Sequence, residues 1–96
     1  MTDIEITQLC AKAMRIRVVR NADKWELMDD SPPVKFYDPL HDDAQAMTLL
    51  KKFTLWVGGW TGAGIVCVSM EGKYLCIDSN LNRAICECVA NMQENI

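Results

Sequence analysis

The chain has 96 residues, half of them apolar and 24% charged, and a formal net charge of −3 at pH 7. These totals predict one globular domain over residues 1–96 and exclude a largely disordered chain. They also argue against a nucleic-acid-binding protein, which needs a clustered basic face. No apolar run approaches the ~18 residues of a membrane span.

The N-terminus and the cysteines indicate the compartment. The opening MTDIEIT is acidic where a secretory signal is basic, and no apolar segment follows it. The cysteines are odd in number and lie in apolar patterns, which favours buried free thiols in a reducing compartment. We therefore expect a cytoplasmic protein with free thiols at Cys10, Cys67, Cys76, Cys86 and Cys88.

The first predicted helix begins after Thr2. Thr2 caps it, and Glu5, three residues later, completes a capping box. Apolar residues then recur with helical spacing, and the helix is expected to end near Met14 or Arg15. The apolar face consists of Ile6, Leu9, Cys10, Ala13 and Met14.

Short strands are predicted between the first and second helices. Trp25 and Leu27 fall on one face of an alternating segment, and we expect Trp25 and Tyr37 in the core. Pro32 and Pro33 interrupt regular structure. The predicted order is a strand or helix exit at 16–20, a turn at 21–23, a strand at 24–28, an exposed loop at 29–33 and a strand at 34–37.

The second predicted helix follows Pro39. Asp42 is its expected cap, with Gln45 at the capping-box position. Lys51 and Lys52 lie at the negative end of its dipole. Its apolar face consists of Ala46, Leu49, Leu50 and Phe53.

A hairpin region comes next, and we expect Trp56 within it to lie in the core. The alternation places Val66, Val68 and Met70 on one strand face, opposite Cys67. The predicted order is a strand at 54–57, a mobile hairpin loop at 58–64, a strand at 65–70, a turn at 71–72 and an antiparallel strand at 73–77.

The third predicted helix has the clearest apolar stripe of the three. Asp78 or Ser79 is its expected cap, and residues 93–96 are expected to fray. The stripe consists of Leu81, Ala84, Ile85, Cys88, Val89 and Met92.

These elements predict a mixed α/β (α+β) fold. A mainly antiparallel sheet is packed between three helices, as in an α-β-α sandwich, because each helix has one apolar stripe to bury. The periodicity leaves open whether the helices share one sheet face or cover both.

The motifs that would carry chemistry are weak. Cys86 and Cys88, two residues apart on a helix, point about 200° apart and do not bind one ion together. We therefore expect Cys88 in the core and Cys86 at its border. The glycine loop at 58–64 lacks the spacing of a phosphate-binding loop. We predict no metal, no cofactor and no catalysis.

Two surfaces remain as candidates for binding. Trp60 lies among glycines, where exposed aromatic side chains are typical interface anchors, and Thr61 is beside it. Asp29 and Asp30 lie in the predicted exposed loop at 29–33, within an acidic cluster. We predict that these two loops contact a partner protein, and that a short sheet edge allows homodimerisation.

Two alternatives stay open. His41 beside Asp42 and Asp43 is the basis for a small ligand-binding protein or enzyme, which a deep pocket containing His41 would favour. A weak nucleic-acid binder is the other, and its basic residues are Lys12, Arg15, Arg17 and Arg20.

The segment FYDPLHDDAQAMTLLKKF, the later SNLNRAICECVANMQ and the opening TDIEITQLCAKAM resemble the phage ABA-sandwich domain, a family of small uncharacterised phage and prophage proteins. The resemblance implies helices on both sheet faces and no known activity. Arg15 stands where the family more often has glycine.

The resemblance leads to a functional hypothesis. We expect a non-enzymatic phage or prophage accessory protein in the host cytoplasm that binds a host or phage protein. One concrete version is an anti-defence inhibitor, for instance of a CRISPR effector.

Overall fold

A computed structural model describes residues 1–28, 35–61, 64–70 and 72–95, and of residues 59–61 it describes the backbone. The predicted loop at 29–33 therefore lies outside the described residues. The helices are α1 (Asp3–Ala13), α2 (Asp43–Lys52) and α3 (Leu81–Glu94), and the strands are β1 (Val18–Asn21), β2 (Lys24–Leu27), β3 (Trp56–Thr61), β4 (Gly64–Val68) and β5 (Leu75–Asp78).

Helix α1 begins as predicted, with the Thr2 hydroxyl accepting a hydrogen bond from the Glu5 N–H. The Glu5 carboxylate accepts a hydrogen bond from the Thr2 hydroxyl and not from the Thr2 backbone N–H. The second bond of the capping box is therefore between two side chains. The helix ends with Arg15 at a φ of 58°, while Ile16 N–H bonds the Ala11 carbonyl at 2.9 Å. This is the usual glycine-type helix ending, made here by an arginine.

The first strands form a two-stranded antiparallel hairpin, β1–β2, with Asn21 opposite Lys24. Ala22, in the two-residue turn between them, has a φ of 58°. The strand predicted at 34–37 is wrong in its described part, where a single bridge joins Glu26 to Phe36. The Phe36 carbonyl accepts a hydrogen bond from the Gln45 side-chain amide at 3.1 Å.

Helix α2 is capped by Asp42, whose carboxylate accepts from the Gln45 N–H at 3.0 Å, as predicted. The Gln45 side chain turns away from the cap. It accepts from the Asp38 N–H at 2.6 Å as well as donating to the Phe36 carbonyl. Gln45 therefore fastens the segment before α2 to the helix.

The other strands form a three-stranded antiparallel sheet in the order β3-β4-β5. The loop predicted at 58–64 is wrong for residues 58–61, which continue β3 with a bulge and pair Thr61 with Gly64. Gly64 has a φ of 125°, and a Cβ there would lie 2.7 Å from the Asp78 carbonyl oxygen. Only glycine fits this hairpin position.

Helix α3 is capped by Asn80, not by Asp78 or Ser79. Asp78 is still paired in β5, and its carboxylate accepts from the Asn80 N–H, so the cap moves to the first residue beyond the strand. At the other end the helix continues to Glu94, where fraying was predicted, because the Asn95 side chain bonds the Asn91 carbonyl at 2.8 Å.

Helix α3 is the centre of the molecule. It packs against α1 and α2 and against β4 and β5. Cys86 was expected at the border of the core, but it is fully buried, because α1 covers a second side of the helix and the Cys10 thiol bonds the Cys86 carbonyl at 3.4 Å. The mixed fold, the single domain and the antiparallel pairing are those predicted.

Helix α3 lies against β4 and β5 of the three-stranded sheet, and α1 and α2 pack against α3. Trp25 and Tyr37 are buried, as predicted. None of the helices in the described part of the chain has the length and apolar character to span a membrane.

Candidate functional site

The three-stranded sheet has two faces that differ in their cover. The inner face lies against α3 and carries the cross-strand row Val57, Cys67 and Cys76. The outer face consists of the alternate residues in two rows, with Met70 in the turn after β4. We define it by Trp56, Val68 and Leu75 in the first row, Gly58, Val66 and Ile77 in the second, and Met70.

The outer face is apolar and exposed. Trp56 is 59% exposed, Leu75 55%, Ile77 44% and Met70 74%, while Val66 and Val68 are half-buried. None of its defining residues is charged. Antiparallel strands with one solvated face usually place polar residues there, so this composition is unusual for a free surface.

The Trp56 indole lies over Gly58. A Cβ built on Gly58 would be 3.0 Å from two carbon atoms of the Trp56 ring. The absence of a side chain on Gly58 therefore lets the indole pack directly against the strand backbone. Trp56 is held against the sheet while most of its surface stays open to solvent.

The expectation that Trp56 lies in the core is wrong. Strand alternation places Trp56 opposite to the half-buried Val57, and it is Val57 that packs against the hydrophobic core. A sequence signal was available. Val66, Val68, Leu75 and Ile77 alternate with core residues, so both faces of β4 and β5 are apolar and one of them needs a cover.

The structure describes the predicted contact residues only in part. Asp29 and Asp30 lie outside the described residues. Trp60 and Thr61 have their backbone in β3, next to the bulge, but their side chains lie outside the described part. Their role in binding stays a prediction.

A cleft of about 460 Å³ lies between the start of α1, the turn of the β1–β2 hairpin and the segment before α2. Two hydrogen bonds to backbone carbonyls join its walls. The Trp25 indole N–H donates to the Ile4 carbonyl at 3.1 Å, and the Tyr37 N–H donates to the Trp25 carbonyl at 2.8 Å. Its shape is thus fixed by long-range contacts.

His41 lies at the rim of this cleft and not in a deep pocket. Its side chain is 74% exposed and its Nδ1 lies 2.9 Å from an Asp38 carboxylate oxygen. The Thr7 hydroxyl in the lining donates to the Asp3 carbonyl at 2.8 Å, which occupies its proton. The Thr7 hydroxyl is therefore not donated to the His41–Asp38 pair.

The five thiols are free, as predicted, and all are buried, including Cys86, which was expected at the border of the core. Hydrogen bonding to the Cys86 side chain and burial raise the pKa of Cys10, and hydrogen bonding to Cys67 and burial raise the pKa of Cys88 to about 12. Accepting from Cys88 lowers the pKa of Cys67. No group of three or more His, Cys, Asp or Glu side chains in the described residues could hold a metal ion.

The basic residues considered for nucleic-acid binding are exposed and lie around the end of α1 and the start of β1. Lys12 is in the last turn of α1, Arg15 follows the helix, and Arg17 and Arg20 lie before and within β1. The Arg20 guanidinium donates to the Ala22 carbonyl at 3.0 Å, in its own hairpin. Nucleic-acid binding through these residues stays an alternative without a distinguishing contact.

Comparisons with protein-family models, with curated proteins and with solved structures each gave no match. The resemblance to small phage proteins therefore rests on the sequence motifs themselves.

Proposed function

We propose that this protein acts without catalysis, by binding another protein through the outer face of its three-stranded sheet. One observation carries the proposal: an exposed aromatic and aliphatic surface with no charged residue among those that define it. Contiguous exposed apolar patches of a few hundred Å² on small proteins commonly mark interaction sites.

The chemistry of this face favours a protein partner over a nucleic acid. Phosphate binding requires lysine or arginine, and the defining residues include neither. Trp56 is well placed as an anchor because its indole packs over Gly58 while most of its surface stays exposed. The surrounding valines and leucine exclude water from the contact.

We further propose that the partner is a bacterial host protein with an apolar surface of its own, and that the chain is a phage accessory protein working in the host cytoplasm. An anti-defence inhibitor, for instance of a CRISPR effector, is the concrete form. This choice of partner is supported by the sequence resemblance to phage proteins, whereas the choice of surface is supported by the exposure of the outer face.

The test compares four forms of the protein as bait in a bacterial lysate: wild type, Trp56→Ala, Leu75→Asp and Val19→Asp. Val19 is a matched control, since it is 47% exposed on β1, away from the outer face. We expect one stoichiometric partner with wild type and Val19→Asp, and a loss of roughly 30-fold in affinity with Trp56→Ala.

Light scattering before the capture distinguishes a second copy from a foreign partner. A wild-type dimer that Leu75→Asp dissociates would show that the face is covered by its own copy, which contradicts the proposal. Equal capture by all four forms would also contradict it, because the contact would then lie elsewhere. Circular dichroism of each variant verifies the fold.

A further inference from the structure

The cleft beside the β1–β2 hairpin already holds a cation. The Lys24 ammonium lies 5.0 Å from the centroid of the Phe36 ring, within the distance at which a cation is attracted to an aromatic face. Both residues line the cleft, and both are exposed. Lys24 therefore places an ammonium group, on a flexible side chain, at the opening of the cleft.

The charged side chains around the Lys24 ammonium are mainly negative. Three carboxylates, those of Asp3, Asp23 and Asp38, belong to the lining. Asp3 pairs with Arg83 at 2.7 Å and Asp38 with His41 at 2.9 Å. Asp23 is the lining carboxylate outside these ion pairs and remains available to a ligand.

The deeper lining is apolar. Ile4, Trp25 and Leu40 contribute to it, and the latter two are buried. A volume of about 460 Å³ lies within the range of small-molecule sites. The occupant that suits an aromatic face, carboxylates and an apolar floor is a cation on a short hydrocarbon body, because an anion would meet the carboxylates and a neutral compound would leave them unused.

We propose that this cleft binds a small organic ammonium compound, whose cation replaces the Lys24 ammonium over the Phe36 ring and faces the Asp23 and Asp38 carboxylates. Lys24 acts as an internal competitor that a ligand displaces. This site is separate from the outer face and does not depend on the function proposed for it.

The probe is n-butylammonium chloride, titrated at constant ionic strength and followed by ¹H–¹⁵N chemical shifts, with 1-butanol and sodium butyrate as matched uncharged and anionic probes. We expect saturating shifts at Lys24, Phe36 and Asp38 with the ammonium compound, and at least tenfold weaker binding of the other two. Binding of 1-butanol as strong as that of butylammonium would overturn the proposal.

Variants of the chain give the sharper test. Lys24→Ala removes the competitor and is expected to tighten butylammonium binding about fivefold, whereas Asp23→Asn is expected to weaken it severalfold. Lys35→Ala is the electrostatic control, because Lys35 is an exposed neighbour of Phe36 outside the lining. It removes the same charge and is expected to change binding less than twofold.

The result that would overturn the displacement is binding to Lys24→Ala that is unchanged, weaker, or tightened no more than in Lys35→Ala. Glu94→Gln controls for the charge lost in Asp23→Asn, since Glu94 is exposed at the end of α3. Thermal unfolding of each variant confirms that it is folded before the titration.

Discussion

The two faces of the three-stranded sheet are both apolar but have opposite surroundings. The inner row of Val57 and two cysteines lies beneath α3, and the outer rows of tryptophan, valine, leucine and isoleucine lie in solvent. Apolar residues therefore do not by themselves mark the core of this protein. Burial of the inner face stabilises the fold. The outer face is apolar but stays exposed, so it adds no such stability, and we therefore assign it to binding.

The cover itself explains the difference. Helix α3 is in contact with α1, α2, β4 and β5, so it packs against the other two helices and against one sheet face at the same time. Small side chains on α3, among them Ala84, Cys86 and Ala90, are fully buried and let these neighbours approach closely. Helix α3 lies on the inner face and α1 and α2 pack against α3, so none of the described helices covers the outer face.

The largest contrast is expected between two isoleucines, Ile85 on α3 and Ile77 on the outer face. Ile85 is fully buried, so Ile85→Ala leaves a cavity and is expected to lower the free energy of unfolding by about 2–5 kcal/mol. Ile77→Ala is expected to cost about 1 kcal/mol or less. Urea unfolding followed by circular dichroism measures both, and equal losses would show that the outer face is covered in solution.

A second contrast comes from alkaline pH, because the covered side contains buried thiols and the outer face has no titratable group among its defining residues. The pKa of Cys10 is raised by hydrogen bonding to Cys86 and by burial, and burial raises the pKa of Tyr37. Hydrogen bonding to Cys88 and burial also raise the pKa of Cys76. The pKa of Cys67 is lowered, so its effect on the pH dependence of stability is opposite to that of the other thiols.

A raised thiol pKa means that the unfolded chain loses its proton first. Stability is therefore complete below about pH 8.5, the ordinary pKa of a thiol, and falls as pH rises above it, by about 1.4 kcal/mol per pH unit for each such thiol. Cys10→Ala is expected to make the decline shallower by about that slope between about pH 9 and 10.5, measured by urea unfolding at each pH. Leu75→Asp should leave the slope above pH 9 unchanged, and an unaltered slope in Cys10→Ala would contradict the assignment.

A smaller effect is expected at the start of α3, on which the inner face depends for its cover. The Asn80 side chain accepts from the Arg83 N–H at 3.0 Å, so Asn80→Ala is expected to lower the free energy of unfolding by about 1 kcal/mol. Ser79→Ala is the adjacent control and should have little effect. A larger loss in Ser79→Ala than in Asn80→Ala would restore Ser79 as the cap.

The smallest effect is expected from Gly58→Ala, which acts on the outer face alone. The added methyl group would meet the Trp56 ring at 3.0 Å, and the ring moves aside because it is the end of a flexible side chain. We expect a change in stability below about 1 kcal/mol, together with a shift of the Trp56 indole N–H resonance. The buried Trp25 resonance is the internal control, and a Trp56 resonance that stays in place would show that the indole does not rest on Gly58.

The helix starts at Thr2 and Asp42 could be predicted because a cap bonds an N–H three residues ahead, within one short stretch of sequence. The cap of α3 was missed because β5 pairing extends to Asp78 and shifts the helix start. The cleft was missed altogether. Its walls come from three separate parts of the chain, joined by bonds such as that from Trp25 to Ile4, which no local pattern contains.

The sequence by itself determined the helices, the first two caps, the antiparallel pairing and the burial of the cysteines other than Cys86, since each follows from periodicity or from hydrogen bonds between near neighbours. Only the tertiary structure decided that Val57 is covered and Trp56 is exposed, and that Gln45 fastens Phe36 and Asp38 in place of closing its own cap. The physical reason is that alternation along a strand separates two faces, while the helix that lands on one of them is chosen by contacts between residues far apart in the chain.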